Sequence, residues 1–145
     1  MATNIMPHNL SEVIDACIAF IDNREVTIED LMKHVQAPDF PTGGIIYGME
    51  GVKAAMYLGR GKVVVRGKLY VDAKAKRPRT DYIITQVPYQ VNRDELTNRI
   101  GVLVNDKVIE GVAHVNNEST NKEGTRIVID LKRDGVANLI INQAL

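Results

Sequence analysis

Eight cations crowd one short stretch of this chain. Arg60, Lys62, Arg66, Lys68, Lys74, Lys76, Arg77 and Arg79 all lie between positions 60 and 79, opposed by Asp72 alone. At neutral pH that stretch carries a net charge of +7, while residues 1–59 carry −5 and residues 80–145 carry −2. Basic side chains at this density suit the attraction of phosphate oxygens, because a concentrated field persists over about 8 Å at physiological ionic strength even when the whole molecule is neutral. A plainer reading also fits the same residues: lysines on a hairpin keep it solvated and protect edge strands from pairing with other chains.

Other chemistries find little purchase. His8, His34 and His114 are far apart, and none has a second ligand-type residue at the spacing a zinc site needs. Gly59-Arg60-Gly61-Lys62 resembles a phosphate loop at first sight. It lacks the full frame, leads into a strand pattern instead of a helix, and has Val63 where Ser or Thr is required. There is no nucleophile elbow and no Cys–His signature. The many carboxylates show no pairing that would tune an acid against a base, so the chain does not read as a self-sufficient enzyme.

The elements that must carry the cations can be read from periodicity and punctuation. Asn9 precedes Leu10, Val13, Ile14, Cys17, Ile18 and Ile21 at helical spacing, with Glu12 completing a capping-box pattern; this predicts a helix over 10–22 with Ser11, Glu12, Asp15 and Asp22 outward. Thr27 caps a second, shorter helix to about Val35. Pro38 to Gly44 forces a turn, and a helix around 51–58 stops at Gly59. From Lys62 to Val71 the pattern alternates, with Val63, Val65, Leu69 and Val71 on one face and Lys62, Arg66, Lys68 and Tyr70 on the other. This predicts one half-buried strand with a basic outer side, followed by a polar connection and a returning strand over 81–87. Asn92 and Glu95 open another helix; strands are expected over 108–115 and 125–131, and a last helix after Asp134 runs to the end of the chain. Because that helix has no capping glycine, a longer polypeptide is expected.

Helices first and then β-β-α-β-β-α predict an α+β two-layer sandwich, with a mainly antiparallel sheet and helices on one side. The expected division is 1–37, an N-terminal segment with its helices, and 38–145. The whole chain has 145 residues, 45% of them hydrophobic and 25% charged, with 18 basic and 18 acidic groups, ordinary values for a globular domain. No apolar run reaches the ~18–20 residues of a membrane span. Met1-Ala2-Thr3-Asn4 is not a signal peptide, and the single Cys17 excludes an internal disulfide, so a cytoplasmic location is expected.

Several segments together resemble a known family. Ala2 to Leu10, Pro38-Asp39-Phe40-Pro41-Thr42, Gly59-Arg60-Gly61-Lys62, Pro88-Tyr89-Gln90-Val91-Asn92, Asn117-Glu118-Ser119 and Lys132-Arg133-Asp134 occur in the same order as in bacterial DNA gyrase A subunits, the type IIA topoisomerases. The resemblance covers essentially the whole chain. It implies the tower region of the breakage-reunion core, with the winged helix and its catalytic tyrosine before Met1. None of Tyr47, Tyr57, Tyr70, Tyr82 and Tyr89 is then catalytic. It further implies that Ile5 wedges between base pairs of a bent duplex, while Arg60, Lys62, Arg66 and Lys68 follow the DNA backbone. The implied partners are double-stranded DNA, the ATP-binding gyrase B subunit, and a second copy of the gyrase A polypeptide. No cofactor belongs to this segment, the parent reaction drawing Mg2+ and ATP through the B subunit. The alternatives are an A-type subunit of topoisomerase IV and a stand-alone nucleic-acid-binding module.

Overall fold

A computed structural model describes residues 4–72 and 81–132. The polar connection 73–80, with Lys74, Lys76, Arg77 and Arg79, and the helix expected after Asp134 lie outside the described residues. The chain falls into two compact units, Met1–Val65 and Arg66–Leu145.

In the first unit, α1 spans Leu10–Asp22, α2 Ile28–Leu31, β1 Ile45–Ile46 and α3 Glu50–Leu58. The two predicted caps are present: Asn9 Oδ1 accepts from Ser11 N at 3.0 Å and Glu12 N at 3.3 Å, and Thr27 Oγ1 accepts from Asp30 N at 3.2 Å. Each satisfies backbone donors that a helix start leaves open. α1 departs from expectation in its orientation. It has no buried residue, and only Glu12, Ala16 and Ala19 are even half-buried. Two alanines and Glu12 seat the helix, and the large apolar side chains are exposed.

Beyond α3 the expected single strand breaks in two. β2 (Val65–Arg66) pairs with β1, whereas β3 (Lys68–Asp72) joins a different sheet. The residue at the break is Gly67, whose added Cβ would stand 2.9 Å from the Gln86 carbonyl oxygen. A side chain here would keep the chain from crossing so close to its neighbour.

The second unit is built on an antiparallel sheet in the order β3-β4-β6-β5, with β4 at Asp81–Gln86, β5 at Val112–Asn117 and β6 at Ile127–Leu131. α4 (Arg93–Asn105) packs on one face. Its Leu96, Ile100, Leu103 and Val104 meet Tyr82 and Ile84 of β4, Ile127, Ile129 and Leu131 of β6, and Val112 and Val115 of β5. Leu69 of β3 joins the same cluster, so the basic-faced strand is fastened by its apolar side. This is the α+β arrangement expected, and burial of these side chains supplies its main stabilisation.

β5 begins four residues later than periodicity suggests. The intervening residues finish α4: Lys107 N donates to the Val104 carbonyl at 3.2 Å, and Val108 N donates to the Leu103 carbonyl at 3.0 Å. Lys107 has φ 57, so a lysine occupies the left-handed position of a Schellman cap that glycine usually fills. Ile109 is then buried as a plug beneath the helix end rather than as a strand residue.

Candidate nucleic-acid interface

The Gly-Arg-Gly-Lys segment owes its first glycine to a helix end and its second to packing. Gly59 ends α3 in the left-handed region at φ 71, its N–H donating to the Ala55 carbonyl at 3.0 Å. Gly61 then passes directly over the first turns of α3: a Cβ there would collide with the Gly51 carbonyl oxygen and stand 2.7 Å from Ala55 N. A Cβ on Gly51 would likewise meet the Lys62 carbonyl. Backbone lies on backbone, so the side chains of Arg60 and Lys62 can only turn outward, and both are exposed. The Tyr47 N–H donates to the Val64 carbonyl at 2.8 Å and carries the segment into β2.

Arg66 and Lys68, in the second unit, are also exposed, while Val65, the last residue of the first unit, and Leu69 are half-buried. The alternation therefore holds through Tyr70 and fails at Val71, which is exposed in the outermost strand. Arg60, Lys62 and Lys68 make no ion pair with any described residue. Arg126 is a contrast. Its guanidinium donates to Glu118 Oε2 at 3.1 Å and also interacts with Tyr70, and Glu118 first, then Tyr70, holds its pKa above the ordinary arginine value. That charge is answered within the protein and has less to offer a phosphate.

Ile5 is 71% exposed, in a bend before Pro7. The chain just after it is tied down twice: Asp39 N donates to the Pro7 carbonyl at 2.8 Å, and Asn9 Nδ2 donates to Asp39 Oδ2 at 3.1 Å. The Pro-Asp-Phe-Pro-Thr motif is thus the clasp behind Ile5. Two further motifs are joints of the same kind. Pro88 to Asn92 makes the turn from β4 into α4, with Gln90 at φ 67 and Asn92 Oδ1 accepting from Asp94 N at 2.9 Å. Asn117 Nδ2 donates to Asp94 Oδ1 at 2.7 Å, and Ser119 Oγ accepts from Arg126 N at 2.9 Å, closing the loop between β5 and β6.

These joints enclose an open polar cleft of about 430 Å³, lined by Val91, Asn92, Arg93, Asp94, Asn117 and Ser119, which sequence reasoning did not anticipate. Asn92 already satisfies the helix start and Asp94 puts a carboxylate there, so the cleft does not offer an anion the usual welcome of a helix N-terminus. Among the described residues no three His, Cys, Asp or Glu groups stand together to hold a metal ion, and no helix is long and apolar enough to cross a membrane. The geometry offers exposed cations on strand and loop, suited to sequence-independent contact with phosphates.

Comparison with known proteins agrees on one family. The family model for the A subunits of DNA gyrase and topoisomerase IV matches residues 1–145. The chain is 49% identical over 142 residues to the DNA gyrase A subunit of Salmonella typhimurium, covering 98% of this chain and 16% of the relative. It is 47% identical over 142 residues to that of Escherichia coli K12 and 44% identical over 143 residues to that of Buchnera aphidicola, with 16% and 17% of those relatives covered. The chain therefore spans about one sixth of the length of the curated relatives it matches.

Proposed function

The chain belongs to the family of DNA gyrase and topoisomerase IV A subunits, and from that premise we propose that it is the tower region of a gyrase A-type subunit, supporting and bending the duplex that the parent enzyme cuts. On this reading residues 1–37 approach from a winged-helix domain and 38–145 form the tower. The parent is a cytoplasmic, ATP-hydrolysing type II topoisomerase that introduces negative supercoils. It works with the gyrase B subunit, which brings in ATP and Mg2+, and with a second copy of the gyrase A polypeptide. The segment itself is non-catalytic.

The observation that carries the reading is the end-to-end family match of a chain whose Arg60, Lys62, Arg66 and Lys68 all turn outward. Each phosphate neutralised releases a counterion, so these groups contribute affinity and orientation with no sequence preference. Ile5 supplies the other half of bending. An apolar wedge unstacks a base step at a cost of a few kcal/mol, which extra protein–DNA contact along the bent duplex offsets.

Two measurements test this. Duplex binding by the chain is expected to be non-specific and to weaken steeply with salt. Reversing Lys62, Arg66 and Lys68 together abolishes it, and unchanged affinity removes these residues from the interface. In the reconstituted enzyme, Ile5→Ala reduces bending measured by energy transfer across the duplex, whereas normal bending refutes the wedge.

A further inference from the structure

α1 is an amphipathic helix mounted with its apolar side away from the body that carries it. Leu10, Val13, Ile14, Cys17, Ile18, Phe20 and Ile21 occupy one continuous arc and every one is exposed, Leu10 and Ile21 at 74%. An apolar stripe of this width on a 13-residue helix costs free energy in water unless another surface covers it. The helix is also acidic without relief: Glu12, Asp15 and Asp22 are its only charged groups. At 100° per residue, Asp15 and Asp22 lie together along one border of the apolar arc.

We infer that this face is a docking surface for another part of the same A-type polypeptide, an apolar patch bordered by lysine or arginine side chains. The inference rests on the proposed tower reading, because the occupant must come from the five-sixths of the family polypeptide that this chain does not span. A second copy of the chain fits less well. Two α1 faces brought together would bury carboxylate borders with no cation on either helix to answer them.

Cys17 lies within the face and is the only cysteine in the sequence, which makes it a clean probe. The experiment compares its alkylation by a maleimide, read from the mass of the Cys17 peptide, in the 145-residue chain and in a full-length A-type polypeptide carrying it, both without DNA. In the chain alone the thiol is expected to react at the rate of a small free thiol, independent of protein concentration. In the full-length polypeptide the rate falls by at least roughly tenfold, since labelling then waits for local opening. Asp15→Lys restores part of the lost reactivity there while leaving the isolated chain's melting unchanged, because Asp15 is exposed.

Equal rates in the two proteins overturn the inference. So does protection in the chain alone that grows with concentration, which would identify a second copy as the occupant. Asp15→Lys without effect on the protected rate overturns the basic border. Because the comparison is made without DNA, these results are independent of whether the charge reversals and Ile5→Ala behave as the tower reading expects.

Discussion

Replacing Gly61 by alanine tests the placement of the cationic segment without touching a charge. The new methyl group would collide with the Gly51 carbonyl oxygen and stand 2.7 Å from Ala55 N and 3.0 Å from Ala55 Cβ. Residues 51 and 55 are about one helical turn apart, so the methyl group sits against a carbonyl and an amide that face each other within α3. Neither backbone atom can rotate away. Relief requires the 61–62 backbone to lift off the helix. Overpacking of this kind costs typically 1–3 kcal/mol, and contact with rigid backbone on both counts argues for the upper half, roughly 2–3 kcal/mol. For a body of this size that corresponds to a loss of at least about 8 °C in melting temperature. The assay is thermal unfolding followed by circular dichroism, with two internal comparisons. Gly59→Ala meets no atom within 4 Å but must hold φ 71, so it costs about 1–2 kcal/mol for conformational reasons alone. Gly101→Ala also meets nothing within 4 Å, lies inside α4, and is expected to stabilise by about 0.5–1 kcal/mol. A Gly61→Ala protein that melts with the wild type refutes the close approach of the segment to α3, and with it the reason Arg60 and Lys62 face outward.

Lys107→Gly relieves a lysine held at φ 57 in the cap of α4 and is expected to raise stability by about 1 kcal/mol in a urea titration. Asn92→Ala removes the acceptor that holds Asp94 N and Glu95 N, at a cost of about 1 kcal/mol by the same titration. Lys33, first through its 2.7 Å hydrogen bond, and then Thr27 hold the Asp30 carboxyl below its ordinary value of 3.8. That contribution is therefore complete above the ordinary aspartate range and is lost as pH falls through the lower folded value. Lys33→Gln is expected to return the Asp30 titration, followed by NMR, toward the ordinary value, and an unmoved titration refutes the attribution.

Local signals in the sequence carried far. The cap at Asn9 and the bounds of α1, the stop at Gly59, the Asn92 cap and the antiparallel return of β4 against β3 all rest on hydrogen bonds between near neighbours or on strict alternation, which the chain states directly. What was not legible depends on distant backbone. The 62–71 pattern runs on through Gly67, and only the Gln86 carbonyl beside it explains why the strand changes sheets there. The late start of β5 comes from a lysine accepting a conformation that composition assigns to glycine or asparagine. The pairing of Arg126 with Glu118 and Tyr70 ties the β5–β6 connection to β3 and leaves no trace in spacing. Periodicity reported that α1 is amphipathic, but a period cannot say which side has a neighbour. There Ala16 and Ala19, with Glu12, hold the seat.

Three of the motifs that resemble the family turn out to hold angles. Asp39 clasps Pro7 and Asn9, Asn92 aims α4, and Ser119 with Arg126 closes the end of the sheet; none presents a reactive group. That is intelligible for a part whose proposed task is mechanical. Phosphate contacts tolerate a shift of an ångström, since a mobile lysine follows a charge that acts over several. A wedge does not tolerate it, because an apolar tip that misses the base step meets only water or sugar. Ile5 is two residues from Pro7, and Pro7 is fixed through Asp39 at the foot of α1, so the position of the tip is no better defined than the position of α1 itself. A helix seated only on Glu12, Ala16 and Ala19 is a weak mount. Covering its outward face from the rest of the polypeptide would stiffen the mount, and the precision that bending demands would then come from that second contact rather than from the clasp.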